Sequence, residues 1–250
     1  MAWHVHAGAA TGAGHRARGE PCQDAFAHGV HGDVLVATVC DGAGSARHGD
    51  IGARVVARQV VHALLARAAA GNEVAELAPD AAADLLAHVI EAVRDALQSL
   101  AGAAGAALGD YATTLVGAVG DGRSGFLFHL GDGVAVGMAA EGEDIVSAPD
   151  NGEYANETYF VTGPAWRARL RITPLRRPLR GIALMSDGAA AFAMERGGRA
   201  LFPAFIGPVE RHLAGLGEAD GSAALLATLA DPRTDAITPD DKTLLIALRR

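Results

Sequence analysis

The sequence predicts an α+β fold, antiparallel sheets with helices packed outside them, on two observations. Strand-length runs and helix-length runs are segregated along the 250 residues, which a doubly wound parallel sheet would not show. The stretch Val34 to Cys40 is apolar but for Thr38, reads as a strand buried on both faces, and stops abruptly at Asp41-Gly42-Ala43-Gly44-Ser45. A carboxylate therefore sits at the rim of a core, followed by small residues that let backbone approach a ligand.

Each further element follows from local pattern. Trp3 to Ala9 and Asp24 to Val30 read as short strands, and the Gly-rich, basic stretch Thr11 to Pro21 between them as a loop. Gly12, Gly14 and Ala17 satisfy a relaxed dinucleotide fingerprint, but no acidic residue follows at the place a βαβ unit needs, and the next strand comes too soon for a crossover helix. Ile51, Val55, Val56, Val60, Ala63 and Leu64 recur at helical spacing, as do Leu85, Leu86, Val89, Ile90, Val93, Leu97 and Leu100. Thr113 to Val119, Gly125 to Leu130 and Val134 to Met138 follow with Gly-rich turns, the pattern of an antiparallel meander. After a polar insertion over about 140–165, a strand pair is expected at Arg169 to Thr173 and Gly181 to Met185. Helices near 188–195, 204–216 and 222–230 then precede a last strand, Thr243 to Leu248.

Composition narrows the function. No Ser/Pro-rich linker or charge block divides the chain, so residues 1–250 are expected to form one domain. No apolar run approaches the ~20 residues that span a bilayer, and the start at Met1 shows no secretory pattern, which points to the cytoplasm and away from membranes. Cys22 and Cys40 lack metal-type pairing and suit buried thiols in a reducing compartment. A formal charge of −8 argues against nucleic acid as a partner, because phosphate backbones need a basic face.

Five separated places put a carboxylate at a strand edge. Asp24 begins one; Asp41, Asp132 and Asp187 each follow an apolar run and precede Gly; Asp240 and Asp241 precede the last strand. Taken singly, a turn at Asp41, a hairpin at Asp132 and a helix N-cap at Asp187 would explain them. Turns would be served equally by Asn, Ser or Gly, yet here an acid stands every time. Carboxylates gathered together repel and take up protons unless a cation neutralises them. An all-oxygen cluster with waters and a backbone carbonyl suits Mg2+ or Mn2+ rather than zinc. Two such ions about 3.5 to 4 Å apart can hold a phosphoryl oxygen and lower the pKa of a bridging water. Metal-dependent hydrolysis of phosphate esters best fits this pattern, since phosphate monoesters are among the slowest substrates to hydrolyse unaided. Ser45 and Ser186 lack the Gly-x-Ser-x-Gly elbow of serine hydrolases, and no P-loop Gly-Lys-Ser/Thr occurs.

The segments Gln23-Asp24-Ala25, Asp41-Gly42-Ala43-Gly44-Ser45, Ala112-Thr113-Thr114, Gly131-Asp132-Gly133, Ser186-Asp187-Gly188 and Asp240-Asp241-Lys242-Thr243 resemble, in order and span, the PP2C-type metal-dependent Ser/Thr protein phosphatases of bacteria. The resemblance implies a four-layer α-β-β-α sandwich and hydrolysis of phosphoserine or phosphothreonine by a metal-activated water, with two or three Mg2+ or Mn2+ ions and no phosphoenzyme. Asp41 resembles the carboxylate that bridges both metals, with the Gly42 carbonyl as a ligand. Asp187 and Asp240 resemble ligands of the first metal, and these three would carry the catalysis. Asp24 is similar to the residue that reaches a metal through water, Asp132 to a ligand of a third ion. Asp241 falls where many members carry Asn, which places it behind the ligands. Many members have His two residues after the bridging Asp, whereas this chain has Ala43, leaving His48 or a metal-coordinated water to protonate the leaving group. The register of the family's phosphate-binding Arg holds Gly19, with Arg18, Arg16 and His15 beside it as candidates. The implied partner is a phosphorylated protein, a Ser/Thr kinase or its targets. Two alternatives share the resemblance: a non-catalytic module that binds a phosphoprotein or kinase, and a phosphatase of the stress-response, anti-sigma type.

His4, His6, His28, His31, His62, His88, His129 and His212 show no metal spacing and read as surface or strand-face residues. Arg167, Arg169 and Arg171 alternate as on a solvated strand face, with Arg176, Arg177 and Arg180 extending the basic stretch. The tract Gly152 to Thr162 lies where the family carries a flap beside the cleft, and its tyrosines could meet substrate or pack the insertion onto the sheet.

Overall fold

The computed structural model describes residues 2–149 and 158–250. β1 (Trp3–Ala10) leads into a short helix, α1 (Ala13–Arg18), closed by Gly19 in the left-handed region at φ 70°. The Gly-rich stretch read as a loop therefore holds a six-residue helix, whose start is hydrogen-bonded to residues 239 and 241, a contact invisible to local pattern. β2 (Asp24–His31) and β3 (Val34–Asp41) form an antiparallel hairpin with Asp24 directly opposite Asp41. The long helices α2 (Gly49–Ala69) and α3 (Pro79–Ala104) come next; α3 begins on a proline, whose missing N–H is not needed there, and ends at Gly105. β4 (Leu115–Gly120), β5 (Gly125–Leu130), β6 (Val134–Ala139) and β7 (Ile145–Ser147) precede α4 (Trp166–Arg169). The chain closes with β8 (Arg171–Leu175), β9 (Leu179–Met185), α5 (Asp187–Ala193), α6 (Pro203–Leu213), α7 (Glu218–Leu229), α8 (Pro232–Asp235) and β10 (Lys242–Arg249).

Among the described residues the strands form two antiparallel sheets of five, ordered β1-β10-β9-β6-β7 and β2-β3-β4-β5-β8. Side-chain alternation builds the layers. In β3, Leu35, Ala37 and Val39 point into the core between the sheets, while Val36 and Cys40 face α2 and α3. In β10, Leu245 and Ala247 meet that same inter-sheet core, and Leu244, Ile246 and Leu248 pack under α5, α6 and α7. Both strands are thus covered on both faces, which is why they read as near-continuous apolar runs, and each fully buried Leu or Val contributes about 1.5–3 kcal/mol. The result is the α-β-β-α sandwich.

Three expectations about pairing need correction. The meander is half present: β4 and β5 pair, but at Gly131-Asp132-Gly133 the chain crosses to the other sheet, where β6 pairs with β9. The anticipated pair of β8 and β9 is also split, β8 lying on β5 and β9 between β10 and β6. Arg167 and Arg169 belong to α4, not to a strand; Arg167 pairs with Glu91 at 2.5 Å, and Arg169 lies over the Tyr159 ring at 4.2 Å. The insertion contributes β7 to the first sheet. Most of the Gly152 to Thr162 tract, Tyr154 included, lies outside the described residues; of its remainder, the buried Val161 donates its N–H to the Thr113 carbonyl at 2.8 Å.

Candidate active site

The acidic residues arrive at the site on five separate segments. Asp41 ends β3 and Asp24, its cross-strand neighbour, begins β2. Asp132 lies on the crossing between sheets, Asp187 opens α5 directly after β9, and Asp240 precedes β10. They share one electrostatic environment: the charges of Asp24, Asp187, Asp132 and Asp240, in that order after desolvation, push Asp41 well above the usual carboxylate range. Asp187 is pushed up to about 6, first by burial, then by Asp132 and Asp240, while a hydrogen-bonding contact with Asp41 opposes the rise. Asp24 is pushed up to about 7, chiefly by burial, while the nearby Ser186 and Thr243 hydroxyls, which close no hydrogen bond on it in this geometry, oppose the rise.

Backbone clamps set the positions. Asp41 donates its N–H to Thr114 Oγ1 at 3.0 Å, and its carbonyl accepts from Thr113 Oγ1 at 2.8 Å and from the Thr114 N–H at 2.9 Å. That is the local reason for the Thr pair in the Ala112-Thr113-Thr114 segment. Gly42 admits no side chain, since a Cβ would lie 2.5 Å from the Gly49 carbonyl. The Gln23 amide, with its nitrogen turned inward, donates to the Gly42 and Ala43 carbonyls at 3.1 and 3.2 Å. Ser186 and Thr243 pair through backbone and hydroxyl, docking the start of α5 on β10 and so setting Asp187 beside Asp240. Gly188 is required for that approach because a side chain there would overlap the Asp241 carbonyl.

The donor set was tested against a cation through its unpaired atoms. Both Asp24 oxygens, Asp132 Oδ1 and Asp187 Oδ1 are buried without a hydrogen-bond donor. Buried oxygens of this kind on mutually repelling acids are costly unless a proton or cation joins them. All are hard carboxylate oxygens, as Mg2+ or Mn2+ requires. Among the described residues no three Asp, Glu, His or Cys side chains close on one point as a finished cage. The chemistry of the set fits the cations; its spacing is looser than a filled shell.

Other candidates sit elsewhere. Asp241 is 2% exposed and accepts backbone N–H groups with both oxygens, from Gly12 and from Gln23, each at 2.6 Å, which leaves it behind Asp240. Arg18 pairs with Glu20 at 2.6 Å and Arg16 with Asp235 at 2.6 Å, while His15 Nδ1 turns inward to Asp241. Arg16 and Arg18, two of the three residues proposed for phosphate, thus each meet a carboxylate within the protein. His48 packs its ring on Tyr111, 5.0 Å between centroids, and donates its N–H to the Asp110 carbonyl. Cys22 is half-buried rather than buried like Cys40. Two useful residues escaped sequence reasoning. His129, read as a surface or strand-face residue, is buried in β5 and contacts Ser147 Oγ and the Gly131 carbonyl at 3.0 Å each, steadying the peptide before Asp132. Thr158 donates to Asp132 Oδ2 at 2.7 Å. Neither lies in a motif, and the contacts that mark them, His129 to Ser147 and Thr158 to Asp132, join residues 18 and 26 positions apart.

Comparison with known proteins places this geometry. The family described as protein phosphatase 2C matches residues 11–230. A serine/threonine-protein phosphatase 3 of Escherichia coli K12 is 28% identical over 257 residues, covering 99% of both chains. A crystal structure of a bacterial serine phosphatase superposes with a TM-score of 0.66 at 17% identity, covering 98% of this chain and 97% of that one. The catalytic domain of the serine/threonine protein phosphatase PstP, crystallised with two manganese ions, superposes at 0.62 and 17% identity, with coverage of 98% and 97%. No helix among the described residues is long and apolar enough to cross a membrane. With the family's match covering most of the chain and every acidic segment but the last, the chain belongs to the protein phosphatase 2C family and is a serine/threonine protein phosphatase.

Proposed function

We propose that the carboxylate cluster holds two divalent cations, Mg2+ or Mn2+, with room for a third, and that phosphoserine or phosphothreonine of a protein partner is hydrolysed there. The observation that carries this is the set of buried, donorless oxygens on Asp24, Asp132 and Asp187, around an Asp41 on which the charges of four other acids act. The manganese-bound relative, similar in fold, supports it. Cations bound there would neutralise the cluster and supply Lewis acidity toward a phosphoryl oxygen and a water molecule.

The chain's own residues have distinct parts. Asp41, Asp187 and Asp240 would hold the cations, with the Gly42 carbonyl a further ligand, Asp24 behind them and Asp132 toward the third position. Thr113 and Thr114 fix the Asp41 backbone, so its carboxylate is oriented before any ligand arrives. Asp24 and Asp187, raised to about 7 and about 6, must give up protons to bind, so cation uptake releases protons and strengthens with rising pH. The partner would be a protein bearing phosphoserine or phosphothreonine, a Ser/Thr kinase or its targets.

The test is turnover of a phosphopeptide and of p-nitrophenyl phosphate with Mn2+, alongside calorimetric Mn2+ titration. Asp41→Asn and Asp187→Asn should each abolish turnover and lose carboxylate-dependent binding while circular dichroism stays that of the parent. Turnover that survives chelation would sink the proposal, as would full Mn2+ binding in both variants.

A further inference from the structure

α1 is fastened to the stretch that leads into β10. The Gly12 N–H donates to Asp241 Oδ1 at 2.6 Å, the Gly14 N–H to the Pro239 carbonyl at 2.8 Å, and Arg16 Nη2 to Asp235 Oδ2 at 2.6 Å. Lys242, wholly buried, donates to the other Asp235 oxygen at 2.6 Å, so Asp235 joins α1 to the first residue of β10. Within this clip His15 is the buried residue of α1. Its Nδ1 stands 2.9 Å from Asp241 Oδ2, off the line of an ideal hydrogen bond, on the same oxygen that accepts the Gln23 N–H at 2.6 Å. Asp241 in turn donates its own N–H to Asp240 Oδ1 at 2.9 Å. One carboxylate therefore ties α1, the residue before Asp24 and the neighbour of Asp240 together.

Asp241 is 2% exposed and His15 7%. The hydrogen bonds that Asp241 accepts come from neutral backbone amides, and two side chains face it beside them: His15, whose Nδ1 stands 2.9 Å from Oδ2, and the Cys22 thiol. A buried carboxylate deprived of a donor costs about 1–3 kcal/mol, more when it is charged. The segment that carries it would shift to recover one, and Asp240 is bonded to that segment.

We infer that His15 is a positioning residue for the cation site: through Asp241 it sets where the Asp240 carboxylate and the Gln23-Asp24 start of β2 stand relative to one another. This rests on the cation site proposed above. It also gives α1 a purpose that its basic residues, read as phosphate ligands, did not suggest. Partners in this outer position typically govern affinity for the metal by about 10- to 100-fold.

The experiment is calorimetric Mn2+ titration of the full chain and of His15→Leu, His15→Asn, Asp241→Asn and Asp187→Asn, with melting temperatures taken in chelator. Leu matches the bulk of His15 without its donor, whereas the Asn amide nitrogen can stand where Nδ1 stands. His15→Leu should bind Mn2+ at least tenfold more weakly than the parent, and His15→Asn should recover to within about threefold, a rescue that a purely structural role would not produce. Asp241→Asn places an amide nitrogen against a backbone N–H and should weaken binding similarly; it decides the matter if His15→Leu does not fold. Unchanged affinity in folded His15→Leu or Asp241→Asn, with binding lost in Asp187→Asn, overturns the inference alone. Absence of Mn2+ binding by the parent overturns the site reading itself.

Discussion

Replacing the buried acid Asp24 by Asn should stabilise the metal-free protein at alkaline pH and do progressively less as the solution is acidified. In the fold Asp24 titrates at about 7 against an ordinary 3.8, chiefly because burial disfavours its charge. The native state therefore keeps a proton that the unfolded chain has already released, and stability falls as pH rises from about 4 to about 7. At about 1.4 kcal/mol per tenfold change, the whole difference is about 4 kcal/mol, of which about 3 kcal/mol still favours the native state at pH 5 and is gone by pH 8. Asn is neutral throughout, and the Ser186 and Thr243 hydroxyls that face Asp24 can accept from its amide. Urea unfolding in chelator, followed by circular dichroism, should show the advantage of Asp24→Asn over the parent growing by about 3 kcal/mol between pH 5 and pH 8. Saturating Mn2+ should narrow that advantage, because a cation at 100 times its Kd adds about 2.7 kcal/mol to the state that binds it and the variant binds it less well. An advantage independent of pH would refute the reasoning, since Asp24 would then be ionised in the native protein at no cost.

Two further outcomes are expected. Thr114→Val, nearly isosteric, removes the acceptor of the Asp41 N–H and should cost about 1–3 kcal/mol in unfolding free energy, with turnover falling further than the stability loss explains. His6, wholly buried between β1 and α7 with both ring nitrogens lacking a hydrogen-bond partner among the described residues, titrates below the usual histidine range, mainly through desolvation, with Arg250 and His4 lowering it and Glu218 raising it. The unfolded chain takes up that proton first on acidification, so stability present above about pH 6.5 is lost below it, and unfolding of His6→Leu followed from pH 7 to 5 should show a shallower loss than the parent.

The sequence by itself determined the strands other than β7, the two long helices and the acidic positions. An apolar run of β3's length has few alternatives to a doubly covered strand, and carboxylates placed repeatedly at strand ends resist a solely structural explanation. Partnership across the molecule was decided only by the tertiary structure. β6 and β9 carry the same apolar alternation whichever sheet they join, so the crossing at Asp132 is set by packing of the inter-sheet core rather than by the turn that Gly131-Asp132-Gly133 resembles. The fates of His15 and Arg16 were equally hidden. A basic Gly-rich stretch suits an anion as well as a neighbouring carboxylate, and only the closing of β10 beside β1 brings Asp241 to His15 and Asp235 to Arg16, whereas Arg18 meets Glu20 two residues on. Local patterns report burial and backbone preference, which are properties of neighbours in sequence. The partner of a buried polar group lies, in Asp241's case, more than two hundred residues away, and no pattern of neighbours encodes it.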